Sequence, residues 1–112
     1  MFSTRQNKMA RLYQKELVDI FSKEDIGIPH GILVTITVVR VTPDMGQARV
    51  YLSIFPSSQA ADILKTINLM AKNIRYHLGC RIRNQVKEVP EINFFIDDSL
   101  DYLDRIEKLL HS

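Results

Sequence analysis

The chain has 112 residues, of which 46% are apolar and 25% are charged, and its formal net charge is only +2. These values are typical of one soluble globular domain with a single core. No apolar run reaches the roughly 20 residues of a membrane helix, the first residues lack the apolar stretch of a secretory signal, and the single cysteine excludes an internal disulfide. We therefore expect one domain over residues 1–112, a cytoplasmic location and no membrane partner.

The first predicted element is a helix over about residues 4–22. Ser3 and Gln6 have the spacing of a capping box, in which each side chain bonds the backbone of the other. Apolar residues then recur every three or four positions, as expected for one buried helix face. These residues are Met9, Tyr13, Leu17 and Ile20, with Ala10 and Phe21 beside them.

A β-hairpin is predicted next, after a segment that is interrupted by glycine and proline. Residues 32–41 are rich in β-branched side chains, which favour a strand. Residues 42–46 (TPDMG) carry the proline, aspartate and glycine of a turn. Apolar and polar side chains alternate over residues 47–55, which predicts a half-buried strand.

The second half predicts a long helical segment, a third strand and a last helix. Apolar residues at a spacing of mainly four run from Ile63 to Ile82, which is long for one helix, and a strict spacing of four drifts around a helix of 3.6 residues per turn. We therefore expect a break near Lys72 and Asn73, with fraying after Gly79. Residues 91–97 alternate as a strand. A final helix capped by Asp98 or Ser99 is indicated by an apolar stripe of Leu100, Leu103, Ile106 and Leu110.

The fold class that follows is α+β, with the order α-β-β-α-(kink)-α-β-α. A sheet buries its apolar face against a second layer, so we expect one three-stranded sheet with helices on one face. This order is that of a type II KH domain, an RNA-binding module that clamps single strands with a GxxG loop. The four glycines of this chain form no GxxG. Recognition of a folded RNA by shape and phosphates is therefore expected instead.

Positive charge is concentrated on two predicted helical segments. Arg5, Lys8, Arg11 and Lys15 form one stripe on the first helix. Between Lys65 and Lys87 there are six Lys or Arg residues and no acid, whereas five acids follow one another from Glu91 to Asp104 without an intervening Lys or Arg. Solvated helix faces usually mix both signs, so this polarity favours a polyanionic partner, most simply nucleic acid.

Four stretches of the chain resemble the bacterial ribosome-binding factor A family. They are "RQNKMARLYQKELVDIF", "VTPDMGQARVYLSIF", "IRYHLG" and "VPEINFFIDDSL", in the family's order and over nearly the whole chain. The resemblance implies a non-enzymatic, KH-like protein that binds the free small (30S) ribosomal subunit. There it would assist late maturation of 16S rRNA, notably near the 5′ end and in the cold. The family's Ala-x-Gly kink corresponds here to Ala71-Lys72-Asn73, where asparagine replaces glycine. Asparagine tolerates the left-handed conformation better than other residues with a side chain, so a kink is still expected.

The candidate RNA-binding set combines the basic residues of both segments with the expected kink residue. We expect a monomer without cofactor, metal or small-molecule substrate, with rRNA phosphates as the contacts. The set is Arg5, Lys8, Arg11, Lys15, Lys72, Asn73, Arg75, Arg81, Arg83 and Lys87.

Three other interpretations compete with this one. A charge-polarised surface also suits a protein–protein interaction module. Cys80 with His77 three residues before it could suggest a nucleophile and base, but a small, partly buried side chain is the simpler interpretation of the cysteine. The acids from Asp97 to Asp104 could suggest a metal site, although carboxylates at a helix start are explained by the helix dipole.

Overall fold

The computed structural model describes residues 3–86 and 88–97. Lys87 and the expected final helix lie outside these residues. The described helices and strands follow the order expected from the sequence. They are α1 (Thr4–Lys23), β1 (Leu33–Val41), β2 (Gln47–Phe55), a one-turn 3-10 helix (Ser57–Gln59), α2 (Ala60–Leu69), α3 (Ala71–Ile82) and β3 (Glu91–Ile96). No described helix has the length and apolar character that crossing a membrane requires.

Helix α1 begins with the expected capping box. The Ser3 hydroxyl accepts a hydrogen bond from the Gln6 N–H at 3.1 Å, and the Gln6 side-chain oxygen accepts one from the Ser3 N–H at 2.9 Å. The Gln6 amide nitrogen also donates to the Val41 carbonyl at 2.8 Å, and the residue is only 6% exposed. One glutamine thus caps α1 and fixes its start against the end of β1, which satisfies a buried polar group.

The sheet has the strand order β1-β2-β3, which the sequence pattern left open. Strands β1 and β2 pair as an antiparallel hairpin, with a register shift between Ile36 and Val38. Strand β3 pairs with β2 in parallel, from Gln47 opposite Glu91 to Leu52 opposite Ile96. Parallel neighbours require a long crossover, and the segment that holds α2 and α3 supplies it.

A single core lies between the sheet and the helices. Alternate residues of β2 and β3 point into it, including Val50, Leu52 and Phe94, and α1 contributes Leu17 and Ile20. Helix α1 packs on β1, while α2 and α3 pack on β3. The expected α+β architecture is confirmed, with α1, α2 and α3 all contributing their apolar faces to this one core.

The break expected near Lys72 and Asn73 is present in the long helical segment, but it lies slightly earlier, at Met70. Met70 has φ −94° and ψ 8°, ends α2 through hydrogen bonds to the carbonyls of Thr66 and Ile67, and accepts the first bond of α3 from Ile74. Asn73 is helical, in the first turn of α3, and needs no left-handed conformation. The expected fraying after Gly79 was wrong, because α3 continues to Ile82, whose side chain is buried.

Candidate nucleic-acid interface

Helices α1 and α3 lie side by side on the same layer of the domain. Both bury one apolar face in the common core, and the two helices contact each other. The two basic segments, which are far apart in the sequence, are therefore carried by neighbouring helices, and we call the exposed cations of α1 and α3 the helical basic surface. Its Lys72 end borders the sheet, since Lys72 and Arg75 share a pocket lining with Glu91 and Asn93 of β3.

The contribution of α1 is a row of unengaged charges. In residues 3–86 and 88–97, no side-chain hydrogen bond or ion pair occupies any of the four expected cations. All four are exposed, and each can meet a phosphate at little desolvation cost. These residues are Arg5, Lys8, Arg11 and Lys15.

The cations of α3 divide into two kinds. Lys72 and Arg83 are exposed, and no hydrogen bond or ion pair engages either side chain within the described part of the chain. Arg75 and Arg81 are instead bound to other parts of the protein. The two kinds differ in what they offer a ligand, because a bound guanidinium has a fixed direction and fewer free donors.

Arg75 connects α3 to the segment that leads into β3. Its Nε donates to the Pro90 carbonyl at 3.0 Å, and a terminal nitrogen donates to the Val89 carbonyl at 2.7 Å. The planar guanidinium can make two such bonds at once, which lysine cannot do with this geometry. Arg75 remains exposed, so its charge still contributes to the surface while its position is fixed.

Arg81 forms an ion pair with Asp19 of α1, and Glu16 lies 3.7 Å from the same guanidinium nitrogen. Its hydrogen bond to Asp19 lowers the pKa of that carboxyl below its ordinary value and raises the pKa of Arg81. The acid-free segment noted in the sequence is therefore compensated in three dimensions at this point. A direct phosphate contact by Arg81 stays a prediction, since its guanidinium already faces two carboxylates.

Two further residues of the candidate RNA-binding set, Asn73 and Lys87, remain to be placed. Asn73 is exposed on α3, where its amide could contact RNA, but it does not form the kink. Lys87 lies outside the described residues.

A groove beside α3 contains an aromatic residue that the sequence reasoning left out of the site. It has a volume of about 490 Å³, and its lining includes Arg75, Tyr76, Cys80, Arg83 and Glu88. The Tyr76 side chain is 69% exposed. A helical projection would have identified it, because Tyr76 lies four residues after Lys72 and seven before Arg83, on the same helix face.

The metal interpretation rests on acids that, apart from Asp97, lie outside the described residues, so it stays untested. Elsewhere in residues 3–86 and 88–97 there is no cluster of three His, Cys, Asp or Glu side chains that could hold a metal ion. His77 lies 3.9 Å from Glu24 of the α1 end, and its ring packs against Tyr76. Cys80 is exposed, so the expectation of a partly buried side chain was wrong.

Comparison with known proteins agrees with this architecture. The family model described as "Ribosome-binding factor A" matches residues 5–110. The ribosome-binding factor A of Cytophaga hutchinsonii is 44% identical over 110 residues, which cover 98% of this chain and 83% of that protein. A crystal structure of ribosome-binding factor A from Thermus thermophilus has the same fold, with a TM-score of 0.61 at 16% identity over 81% of this chain and 94% of that one.

A second Thermus thermophilus comparison comes from coordinates of ribosome-binding factor A that were fitted into a cryo-EM map of a 30S complex. They match with a TM-score of 0.57 at 21% identity, over 85% of this chain and 93% of that one. At this identity the likeness concerns the fold, whereas the family model and the C. hutchinsonii relative establish the relationship. The chain belongs to the ribosome-binding factor A family of non-enzymatic ribosome assembly factors.

Proposed function

We propose that this protein binds the free small ribosomal subunit and assists late maturation of its 16S rRNA. The observation that supports the proposal is the helical basic surface: α1 and α3 contact each other, and both carry cations that are exposed and unengaged within the described residues. The likeness to a protein that has been fitted into a 30S complex supports the choice of partner. Action in the cytoplasm, as a monomer and in the cold, belongs to the same proposal.

The contacts follow from the chemistry of the surface. Lysine and arginine side chains neutralise phosphates and release counterions, so binding depends on the shape and backbone of the RNA. We propose a KH-like domain over residues 1–112 that lacks the GxxG clamp and recognises folded rRNA. By binding one rRNA conformation more tightly than others, it shifts the population toward that conformation and dissociates when maturation removes it.

The test is co-sedimentation of the protein with free small subunits, large subunits and joined ribosomes over a salt series. We expect binding to free small subunits only. In a plot of log affinity against log salt concentration, each phosphate contact should make the slope steeper by about 0.9. Equal binding to all three particles, or to none at low salt, would exclude the proposal. Concentration-dependent self-association without any RNA effect would favour a protein–protein interaction module instead.

A charge-matched pair of variants separates the proposed surface from general electrostatics. Arg83→Glu alters the helical basic surface, while Arg49→Glu alters an exposed β2 residue whose neighbours Ala48 and Val50 point into the core. Both variants change the net charge by the same amount. We expect only Arg83→Glu to weaken subunit binding, and an equal loss in both variants would contradict the proposed surface.

A further inference from the structure

The groove beside α3 combines an exposed aromatic ring with fixed walls and positive charge. Tyr76 contacts the His77 ring in a T-shaped arrangement, with the ring centroids 5.7 Å apart. This contact orients the tyrosine without covering it, because the residue is 69% exposed. An aromatic ring that is this exposed on a polyanion-binding surface offers a flat face for stacking.

The walls of the groove are held together by two independent features. Arg75 donates hydrogen bonds from α3 to the carbonyls of Val89 and Pro90. Gly79 lets the segment around Val89 approach α3 closely, since a Cβ at position 79 would lie only 3.1 Å from the Val89 side chain. The groove is therefore pre-formed, and a ligand that enters it does not have to order these walls first.

The charged groups around the groove suit a base as its occupant. Glu88 is on the lining, and its carboxylate can accept a hydrogen bond from a base amino group, which a phosphate does not offer. Arg75 is on the lining too, but its guanidinium is already bound to the Val89 and Pro90 carbonyls. Arg83 is on the lining as well, and Lys72 lies on the same helix face outside it. This arrangement suits a base inside the groove with its flanking phosphates on the two cations.

We infer that the groove binds one unpaired RNA base, which stacks on the Tyr76 ring while Arg83 and Lys72 contact the adjoining phosphates. The inference rests on the proposed function for the identity of the RNA, but stacking itself requires only a single-stranded segment. RNA loops and ends offer such bases, whereas the bases of a duplex are already stacked. Tyr76 would add selectivity for an unpaired nucleotide to a surface that otherwise reads phosphates.

The first experiment uses the absence of tryptophan from the sequence. Tyr76→Trp introduces a single indole, whose fluorescence is followed during titration with an unstructured RNA oligonucleotide and with a duplex of equal length. We expect saturable quenching by the single strand and little by the duplex. A tryptophan that stays unquenched while the oligonucleotide binds would overturn the inference.

The matched control is Phe55→Trp, because Phe55 is an aromatic residue with the same 69% exposure. It ends β2, whereas the groove lies near the other end, where Glu91 pairs with Gln47. The eight residue steps along β2 separate the two ends by roughly 26 Å. Quenching of both tryptophans would indicate non-specific association and would overturn the inference.

The second experiment measures affinity for free small subunits in two Tyr76 variants. Tyr76→Ala should weaken binding by roughly 5- to 150-fold, as found for loss of one base–aromatic stack, while Tyr76→Phe keeps the ring and should stay within about twofold. A loss in Tyr76→Ala without quenching in Tyr76→Trp would mean that the ring contacts a ribosomal protein, and the inference would fail. Quenching by single-stranded RNA without any subunit binding by the unaltered protein would uphold the inference and reject the proposed function.

Discussion

Helices α1 and α3 carry their positive charge in different ways. Along α1, Arg5, Lys8, Arg11 and Lys15 extend into solvent, and the helix is fixed instead by its capping box and by the bond from Gln6 to the Val41 carbonyl. Removing one of these cations therefore removes charge and little else. The structural residues of α1 and its proposed RNA-binding residues are therefore different residues.

On α3 the two roles overlap. Arg75 fixes the segment before β3, and Arg81 pairs with Asp19 of α1. Lys72 and Arg83 remain available on the same helix. The number of cations in a segment therefore overstates the charge that it can offer to a partner, because some of it is already neutralised or directed by the fold.

The largest expected effect comes from the α1 row. Changing Lys8, Arg11 and Lys15 to glutamine removes three proposed phosphate contacts. The slope of log affinity against log salt concentration should therefore become shallower by about 2.7. Taking equal affinities at about 1 M salt as the reference, the variant should bind subunits roughly 500-fold more weakly at about 0.1 M salt. Thermal unfolding should be unchanged, because none of the three side chains is engaged in the described part of the protein.

The matched change on α3 is Lys72→Gln with Arg83→Gln. Removing these two proposed phosphate contacts should make the salt slope shallower by about 1.8, which corresponds to roughly 60-fold weaker subunit binding at the same salt concentration. An unchanged slope in the α1 variant, beside a reduced slope in the α3 variant, would show that α1 does not meet the RNA. The proposed RNA contacts would then be confined to α3.

An intermediate effect is expected from Arg75→Ala. This change removes two hydrogen bonds to backbone carbonyls from an exposed but fixed side chain, and the free energy of unfolding should fall by about 1 to 2 kcal/mol. Chemical denaturation measures this loss, with Arg83→Ala as a control that should stay within about 0.5 kcal/mol. Equal stability of the two variants would mean that Arg75 does not fix the groove.

The smallest effect concerns the ion pair between α1 and α3. The Arg81 hydrogen bond lowers the pKa of Asp19 from its ordinary value of 3.8. The contribution of this ion pair to stability is thus complete above the ordinary pKa of 3.8 and is lost as the pH falls through the lowered pKa of Asp19. Comparing Asp19→Asn with the unaltered protein, we expect a small constant difference in unfolding free energy between about pH 5 and 8 that disappears in stronger acid. A difference that already vanishes near neutral pH would contradict the assignment.

Several features of the fold could be predicted from the sequence because their causes are local. The capping box needs two residues three positions apart, and the strands follow from side chains that alternate between core and solvent. The exposed cations of α1 were identified for the same reason, as the residues opposite an apolar helix face. A break in the second helical segment was also predictable, because its apolar spacing does not match the helix period.

The tertiary structure alone decided how these pieces act together. The break falls at Met70, the partners of Arg75 and Arg81 come from distant segments, and β3 lies parallel to β2. Each of these depends on contacts between residues that are far apart in the sequence, for which a local pattern carries no signal. The sequence by itself thus determined the type and order of the described helices and strands and the exposed α1 cations, whereas packing determined which α3 cations remain available and built the groove beside Tyr76.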